Sequence, residues 1–153
     1  MNVIDAAITK WKDINQKLID NEYIHDIISD VDANTFIVET NANEQLYEQG
    51  VNALGVPIDS YAPYRPYTIR MKQLKNQPYD RVTLRDTGDF ERNFRVEVGQ
   101  TEFIVTSDDW KTEELMEKYG KIFGLTPKNM GKLSQEVVLP DLLLRIRNDL
   151  SNG

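Results

Sequence analysis

The N-terminal third of the chain shows first a helical and then a β-like pattern of apolar positions. Apolar side chains recur every three or four residues over residues 3–19, which predicts an amphipathic helix. A polar junction and a second short apolar set follow, so a helical segment is expected over about residues 1–32. Residues 35–40 are rich in β-branched and aromatic side chains, which predicts a strand.

Glycine and proline set where the later elements begin and end. Gly50 stands where a left-handed helix end belongs, and Pro66 suits the first turn of a helix. Residues 94–106 alternate around a glycine-containing loop, as a hairpin does. Pro140 is expected to kink or divide the last long helix.

These signals predict the following elements. Helices are expected over residues 41–48 (capped by Asn41 or Asn43), 67–75, 112–119 (capped by Thr112) and from Thr126 onward, with a short turn or helix around 86–93 and a terminal helix to Leu150. The remaining strands are expected over residues 81–84, 94–98 and 102–106.

The order of these elements predicts an α+β fold. Its sheet is small and mainly antiparallel, and the N-terminal amphipathic helix and the C-terminal helices pack on it. We expect a single domain over residues 1–153, made of the N-terminal helical segment and an α+β body over about residues 35–153. A chain of this length buries roughly 70% of its unfolded surface, so it needs no disulfide or metal to fold.

Composition excludes several kinds of chemistry. The chain has no cysteine and a single histidine, His25, which excludes disulfides, thiolate zinc sites and cysteine nucleophiles and leaves little for a Ser-His-Asp triad. We therefore expect no catalytic residue, no cofactor and no metal. The chain start lacks the basic stretch of a signal peptide, and no apolar run approaches the roughly 20 residues that span a bilayer, so no membrane partner is expected.

Acidic and basic residues are segregated along the chain, whose net charge is −7. Residues 1–59 carry 3 basic and 11 acidic groups, residues 60–95 carry 8 and 4, and residues 96–153 carry 7 and 10. A basic middle therefore lies between acidic ends. Such a chain can bind copies of itself, with the basic segment of one subunit against an acidic segment of the next, although an ordinary solvated surface has the same pattern.

Asp86-Thr87-Gly88 is the triplet in which aspartic proteases carry their catalytic aspartate. In those enzymes the triplet lies in an apolar, buried turn, whereas here Arg85 precedes it and Asp89 follows. Ile122-Phe123-Gly124 resembles a second element of such enzymes only over three residues. A homodimeric protease is therefore one alternative. The interpretation that we favour is structural, with Asp86 or Thr87 capping a turn that Gly88 completes.

A second candidate site interleaves aromatic and basic side chains in the basic middle of the chain. This combination stacks bases and neutralises phosphates in single-stranded nucleic-acid-binding proteins, and it also forms protein interfaces. Because the whole protein is acidic, we favour the protein interface and consider nucleic acid unlikely as a specific partner. The expected interface residues are Tyr61, Tyr64, Arg65, Tyr67, Arg70, Lys72 and Lys75.

Residues 61–96 resemble the tail-completion and head-tail connector (neck) proteins of tailed bacteriophages, a family that includes virion-morphogenesis proteins. The resemblance rests mainly on Leu84-x-Asp86-Thr87-Gly88-x-Phe90, followed by Phe94 and a strand. In that family this motif follows a proline-containing segment and a basic helix, and it leads into a short helix and a β-hairpin. Asn93, where the family often has serine, departs from its pattern, and so does the acidic helical N-terminus.

The resemblance implies a non-enzymatic structural protein of the virion, made in the host cytoplasm. It implies assembly as a homo-oligomeric ring where the tail meets the head, with the portal or connector, or the tail tube, as partners. It supplies no catalytic residue. The alternatives that remain are the homodimeric protease using Asp86-Thr87-Gly88 and a single-stranded nucleic-acid-binding protein using the tyrosines and arginines of residues 61–95.

Overall fold

The computed structural model describes residues 2–152. Its α-helices are α1 (Val3–Ile19), α2 (Glu22–Ser29), α3 (Val31–Glu39), α4 (Pro66–Leu74), α5 (Asp89–Arg92), α6 (Thr112–Tyr119), α7 (Pro127–Lys132) and α8 (Leu139–Ser151). Its strands are β1 (Phe94–Val98) and β2 (Phe103–Ser107). A π-helical segment, Thr40–Gln49, continues α3, another, Leu133–Val138, joins α7 to α8, and Ile58–Ser60 is a 3-10 turn.

The predicted strand over residues 35–40 is wrong, because this part of the chain is helical from Val31 to Gln49. Asp30 caps the start, its carboxylate accepting the N–H of Val31 at 2.7 Å. β-Branched residues lower helix propensity only slightly, so burial of one helix face outweighs them. The predicted caps at residues 41 and 43 are likewise wrong, since no helix begins there. The predicted end is confirmed, with Gly50 left-handed at φ 66°.

The predicted strand over residues 81–84 is also wrong. Leu84 has φ 58°, a left-handed conformation that interrupts any extended run, and the segment pairs with no strand. It is held by side chains instead, because the hydroxyl of Tyr64 accepts the N–H of Thr83 at 3.0 Å. The predicted helix after Pro66 is confirmed as α4, and the short helix around residues 86–93 is confirmed as α5.

The predicted hairpin is confirmed and forms the whole sheet of the described residues. β1 and β2 are antiparallel, with Phe94 opposite Ser107 and Val98 opposite Phe103. β1 ends at Val98 and β2 begins at Phe103, so the loop is one residue longer than predicted. Within it the N–H of Gly99 donates to the carbonyl of Glu102 at 2.7 Å. Helices pack on this hairpin, α3 chiefly on β1, and the predicted α+β class is confirmed.

In the C-terminal half the two predicted caps have different outcomes. Thr126 caps α7, its hydroxyl accepting the N–H of Asn129 at 3.2 Å, as predicted. Thr112 does not cap α6: Lys111 holds the capping position, and the Thr112 hydroxyl donates to the carbonyl of Asp109 at 2.6 Å. The packed hydroxyl thus stabilises the turn that enters α6 rather than the free N–H groups of the helix.

Of the two outcomes predicted for Pro140, a kink or a division of the C-terminal helix, the division is wrong. Helical structure runs without a break from Pro127 to Ser151. The segment before the proline is π-helical, and the N–H of Leu139 donates to the carbonyl of Ser134, five residues back. This wider turn accommodates the proline ring, which would collide with the carbonyl four residues earlier in a regular α-helix.

Several polar contacts join α8 to the N-terminal helices, and the most buried of them centres on Asp149. Lys17 of α1 and Tyr23 of α2 both donate to the carboxylate of Asp149, at 3.0 and 2.6 Å. Burial, followed by this hydrogen bond, raises the pKa of Tyr23 to about 12. The same two donors hold the pKa of Asp149 below its ordinary value. α8 packs against α1 and α2.

One apolar core joins the N-terminal helices to the rest of the chain. Phe90, Phe94 and Phe123 meet at ring-centroid distances of 5.0 to 5.8 Å, in tilted and edge-on geometries that aromatic rings favour. The predicted boundary near residue 32 does not separate two cores, because buried residues on both sides belong to one cluster. These include Ile28, Ala33, Ile37, Leu46, Ile58, Val82, Val105, Tyr119, Ile122 and Leu133.

Candidate protein-interaction site

α4 carries three of the seven predicted interface residues and lies between the others, and its start follows from local sequence. Arg65 is extended, as a residue before proline must be, and Pro66 occupies the first helical turn, where its missing N–H costs nothing. One side of α4 faces outward at three- and four-residue spacing. On that side Tyr67 is 70% exposed and Leu74 is 76% exposed, with Arg70 between them.

The opposite side of α4 is used inside the molecule. Lys72 is only 7% exposed, and its ammonium donates to the carbonyl of Arg85 at 2.9 Å. The same ammonium lies 5.1 Å from the ring centroid of Tyr64, a cation–π distance. Tyr64 in turn holds Thr83 through its hydroxyl. Tyr64 and Lys72 therefore fix residues 83–85 against α4.

The other predicted interface residues remain at the surface. Tyr61 is half exposed, and its hydroxyl donates to the carbonyl of Tyr119 at 2.6 Å, which ties the loop before α4 to the end of α6. Arg65 is exposed and lies in no ion pair among residues 2–152. Lys75 is exposed but pairs with Asp86 at 2.9 Å.

The predicted turn residues form a turn, but Asp86 does not cap it. Its carboxylate accepts hydrogen bonds from Lys75 and Gln77, which hold the pKa of Asp86 below its ordinary value. Thr87 donates to Asp89 at 2.7 Å, at the start of α5. Gly88 has φ 88° and occupies the capping position itself, while the Thr87 hydroxyl accepts the N–H of Asp89, the first residue of α5, at 3.4 Å. The left-handed backbone explains why glycine stands there.

Beneath this turn lies a cavity of about 190 Å³ that the sequence did not indicate. Glu91 lines it and is 8% exposed, and neither carboxylate oxygen has a hydrogen-bond partner in the described part of the chain. The nearest cation is Arg85, whose Nε lies 3.6 Å from Glu91 Oε1 and whose guanidinium stacks 3.9 Å from the Tyr47 ring centroid. Burial raises the pKa of Glu91 above its ordinary value.

Two exposed apolar surfaces also escaped the sequence reasoning. Trp110 is 83% exposed in the turn before α6, and three of the exposed residues of that helix are glutamates, beside Met116 and Lys118. α1 leaves part of its apolar face uncovered, since Ile14 is its only buried residue. The amphipathic period of α1 was visible in the sequence, but the period cannot tell which apolar side chains a partner helix covers. The exposed residues of α1 include Ile4, Ile8, Trp11 and Ile19.

Comparison with known proteins adds no relative. The chain matches no protein-family model, no curated protein and no solved structure. Within residues 2–152 the His, Asp and Glu side chains form no group of three that could hold a metal ion. In the same range, no helix combines the length and the apolar character needed to cross a membrane.

Proposed function

We propose that the protein is a non-enzymatic structural component of a tailed-phage particle that assembles as a ring at the head-tail junction or the top of the tail. The observation that carries this proposal is the outward side of α4, where Tyr67, Arg70 and Leu74 are all exposed to solvent. This helix lies within the segment that resembles tail-completion proteins. Portal, connector or tail-tube proteins are the other proposed partners.

The energetics of this surface favour a protein partner. Burying the exposed apolar surface of Tyr67 and Leu74 against a partner would be favourable in free energy. Aromatic and arginine residues also contribute most of the binding energy in protein interfaces. Tyr61 and Arg65 extend the surface along the loop that precedes α4. Tyr67, Arg70 and Leu74 lie on a helix whose backbone is already ordered, so binding a partner costs little further backbone entropy there.

The geometry of Asp86 favours the structural role over the protease alternative. Its carboxylate is kept ionised by a lysine, and the pKa is lowered. A pair of catalytic aspartates needs the opposite condition, in which one carboxyl keeps its proton because a second carboxylate lies beside it. We therefore assign Asp86 to fixing the turn between α4 and α5.

A stop codon in the phage gene tests the proposal. We expect filled heads and free tails that fail to join, a loss of infectious titre, and recovery of joining when purified protein is added to the lysate. A synonymous change at the same codon is the matched control. Infectious particles in which mass spectrometry finds no copy of the protein would overturn the proposal.

A further inference from the structure

Two exposed surfaces of opposite charge suggest how one subunit contacts the next. The basic face of α4 consists of Tyr67, Arg70 and Leu74 of the helix and of Arg65 immediately before it, all exposed. The acidic face of α6 consists of Trp110, Glu113, Glu114 and Glu117, also exposed. We infer that the basic face of α4 in one subunit docks on the acidic face of α6 in a second copy of this chain.

Charge complementarity is the first argument. α4 contains no acidic residue, whereas α6 contains three glutamates and one lysine. Among residues 2–152 neither arginine of the basic face and no glutamate of the acidic face takes part in an ion pair. The ion pairs that do form involve other residues, such as Lys75–Asp86 and Arg85–Glu91. Both faces therefore keep their full charge for a partner.

Apolar anchors of similar exposure are the second argument. Trp110 at 83% and Leu74 at 76% exceed the other exposed large hydrophobic residues outside α1. Each face therefore offers an aromatic or aliphatic anchor beside charged side chains, as protein interfaces do. Near Trp110 these charges are mainly acidic, although the Lys111 ammonium lies 5.6 Å from the Trp110 ring centroid. α4 has nine residues and α6 has eight, so the two faces have matching lengths of about 12 to 14 Å.

Each contact joins a basic face to an acidic face. Two basic faces repel each other, and so do two acidic faces, so neither surface can pair with itself about a twofold axis. Unlike faces can meet twice about a twofold axis in a closed dimer, or once in a head-to-tail contact that leaves one free face at each end. The ring proposed above needs the head-to-tail contact, in which further subunits join until the ring closes. This inference rests on the proposed ring assembly and supplies the pair of surfaces that would build it.

Charge reversal provides a test with an internal rescue. Arg65→Glu with Arg70→Glu, or Glu113→Lys with Glu117→Lys, should weaken self-association in mass photometry and light scattering on the order of tenfold or more. Each change places like charges on both sides of the contact. The quadruple variant, or an equimolar mixture of the two double variants, should restore association because both contacts again join unlike charges.

The matched control is Lys12→Glu with Lys128→Glu, which changes the net charge by the same amount as the arginine reversal at two exposed lysines outside both faces. It should leave association unchanged, and circular dichroism should show that every variant is folded. Loss of association without rescue, or loss in the control, would overturn the pairing. Rings that form equally well with either double variant would overturn it while leaving the proposed function intact.

If the free protein is monomeric, cross-linking in assembled particles tests the same contact. The chain has no cysteine, so introduced cysteines are the only sites that a maleimide links through a thiol. Tyr67→Cys and Glu117→Cys, combined in one chain, should give a ladder of linked subunits in assembled particles with a short bis-maleimide. Ile19→Cys with Tyr67→Cys is the control, since residue 19 lies outside both faces, and it should give no ladder. A particle that contains the protein but gives no ladder from the first pair would contradict the inference. Association through α4 that requires added single-stranded DNA would favour a nucleic-acid partner instead.

Discussion

Glu91 is an ionisable side chain that is buried from water and receives no hydrogen bond in return from any residue that the structure describes. Both carboxylate oxygens are buried without a hydrogen bond, and the Arg85 Nε lies at 3.6 Å, beyond hydrogen-bond distance. Arg85 keeps a hydrogen bond to Asn43, its contact with the Tyr47 ring and part of its exposure to water. Desolvation of the carboxylate therefore outweighs the attraction of Arg85, and the pKa of Glu91 is raised.

This imbalance predicts a pH-dependent effect of Glu91→Gln. A raised carboxyl pKa in the folded state gives stability that is present below the unfolded pKa and lost as the pH rises through the folded pKa. The variant should therefore increase the free energy of unfolding by about 1 kcal/mol at pH 7 and match the wild type near pH 4. Urea unfolding at both pH values measures this. Exposed Glu136→Gln is the control, and a variant less stable at pH 7 would show that the pair with Arg85 dominates.

Asp86 should behave with the opposite sign. Its lowered pKa gives stability that is present above the unfolded pKa and lost as the pH falls through the folded pKa. More than half of its side chain is exposed, so Asp86→Ala should cost less than about 1 kcal/mol. A double-mutant cycle with Lys75→Ala, measured by urea unfolding at low and high salt, checks this. A coupling that persists in about 1 M salt would contradict a screened surface pair.

At the scale of elements, the π-helical segment Thr40–Gln49 holds the loop between α6 and α7 through two buried amides. Gln45 donates to the carbonyl of Gly124 at 2.9 Å and accepts the N–H of Thr126 at 2.9 Å. Asn41 donates to the carbonyl of Ile122 at 3.0 Å and accepts the N–H of Gly124 at 2.8 Å. Neither amide is exposed, so these bonds take the place of water for the loop backbone.

Gln45→Leu should therefore destabilise the protein strongly although leucine fits a similar volume. It would leave the Gly124 carbonyl, the Thr126 N–H and the Asn129 amide without partners, at a cost of about 3 kcal/mol in the free energy of unfolding. Gln49→Leu, at an exposed position of the same helix, should cost far less. Thermal and urea unfolding of the two variants would compare them. Equal costs would mean that water replaces the lost bonds.

At the scale of the whole molecule, charge limits the nucleic-acid alternative. The basic face of α4 is small, and the net charge of −7 repels a phosphate backbone elsewhere on the surface. Binding to single-stranded DNA should therefore be absent, or no tighter than about 1 μM at physiological salt, and weaken steeply as salt is added. Fluorescence anisotropy with a labelled oligonucleotide measures it. Tight binding that persists in high salt would make the nucleic-acid function the better proposal.

Sequence by itself was enough for the elements whose signals are local. The apolar period of residues 3–19, the alternation around Gly99, the left-handed end at Gly50 and the proline start of α4 each depend on residues a few positions apart. Such signals act through backbone dihedrals and capping bonds, which neighbouring residues set regardless of the rest of the fold. The fold class followed from these elements.

Only the tertiary structure decided the points that depend on distant partners. Residues 35–40 became helical because a buried helix face outweighs their weak β preference, and residues 81–84 formed no strand because no partner strand lies beside them. Lys72 was drawn inward by the carbonyl of Arg85, and Glu91 was buried beside Arg85. A sequence lists charged side chains alike, but burial and pairing separate structural charges from those left free for a partner.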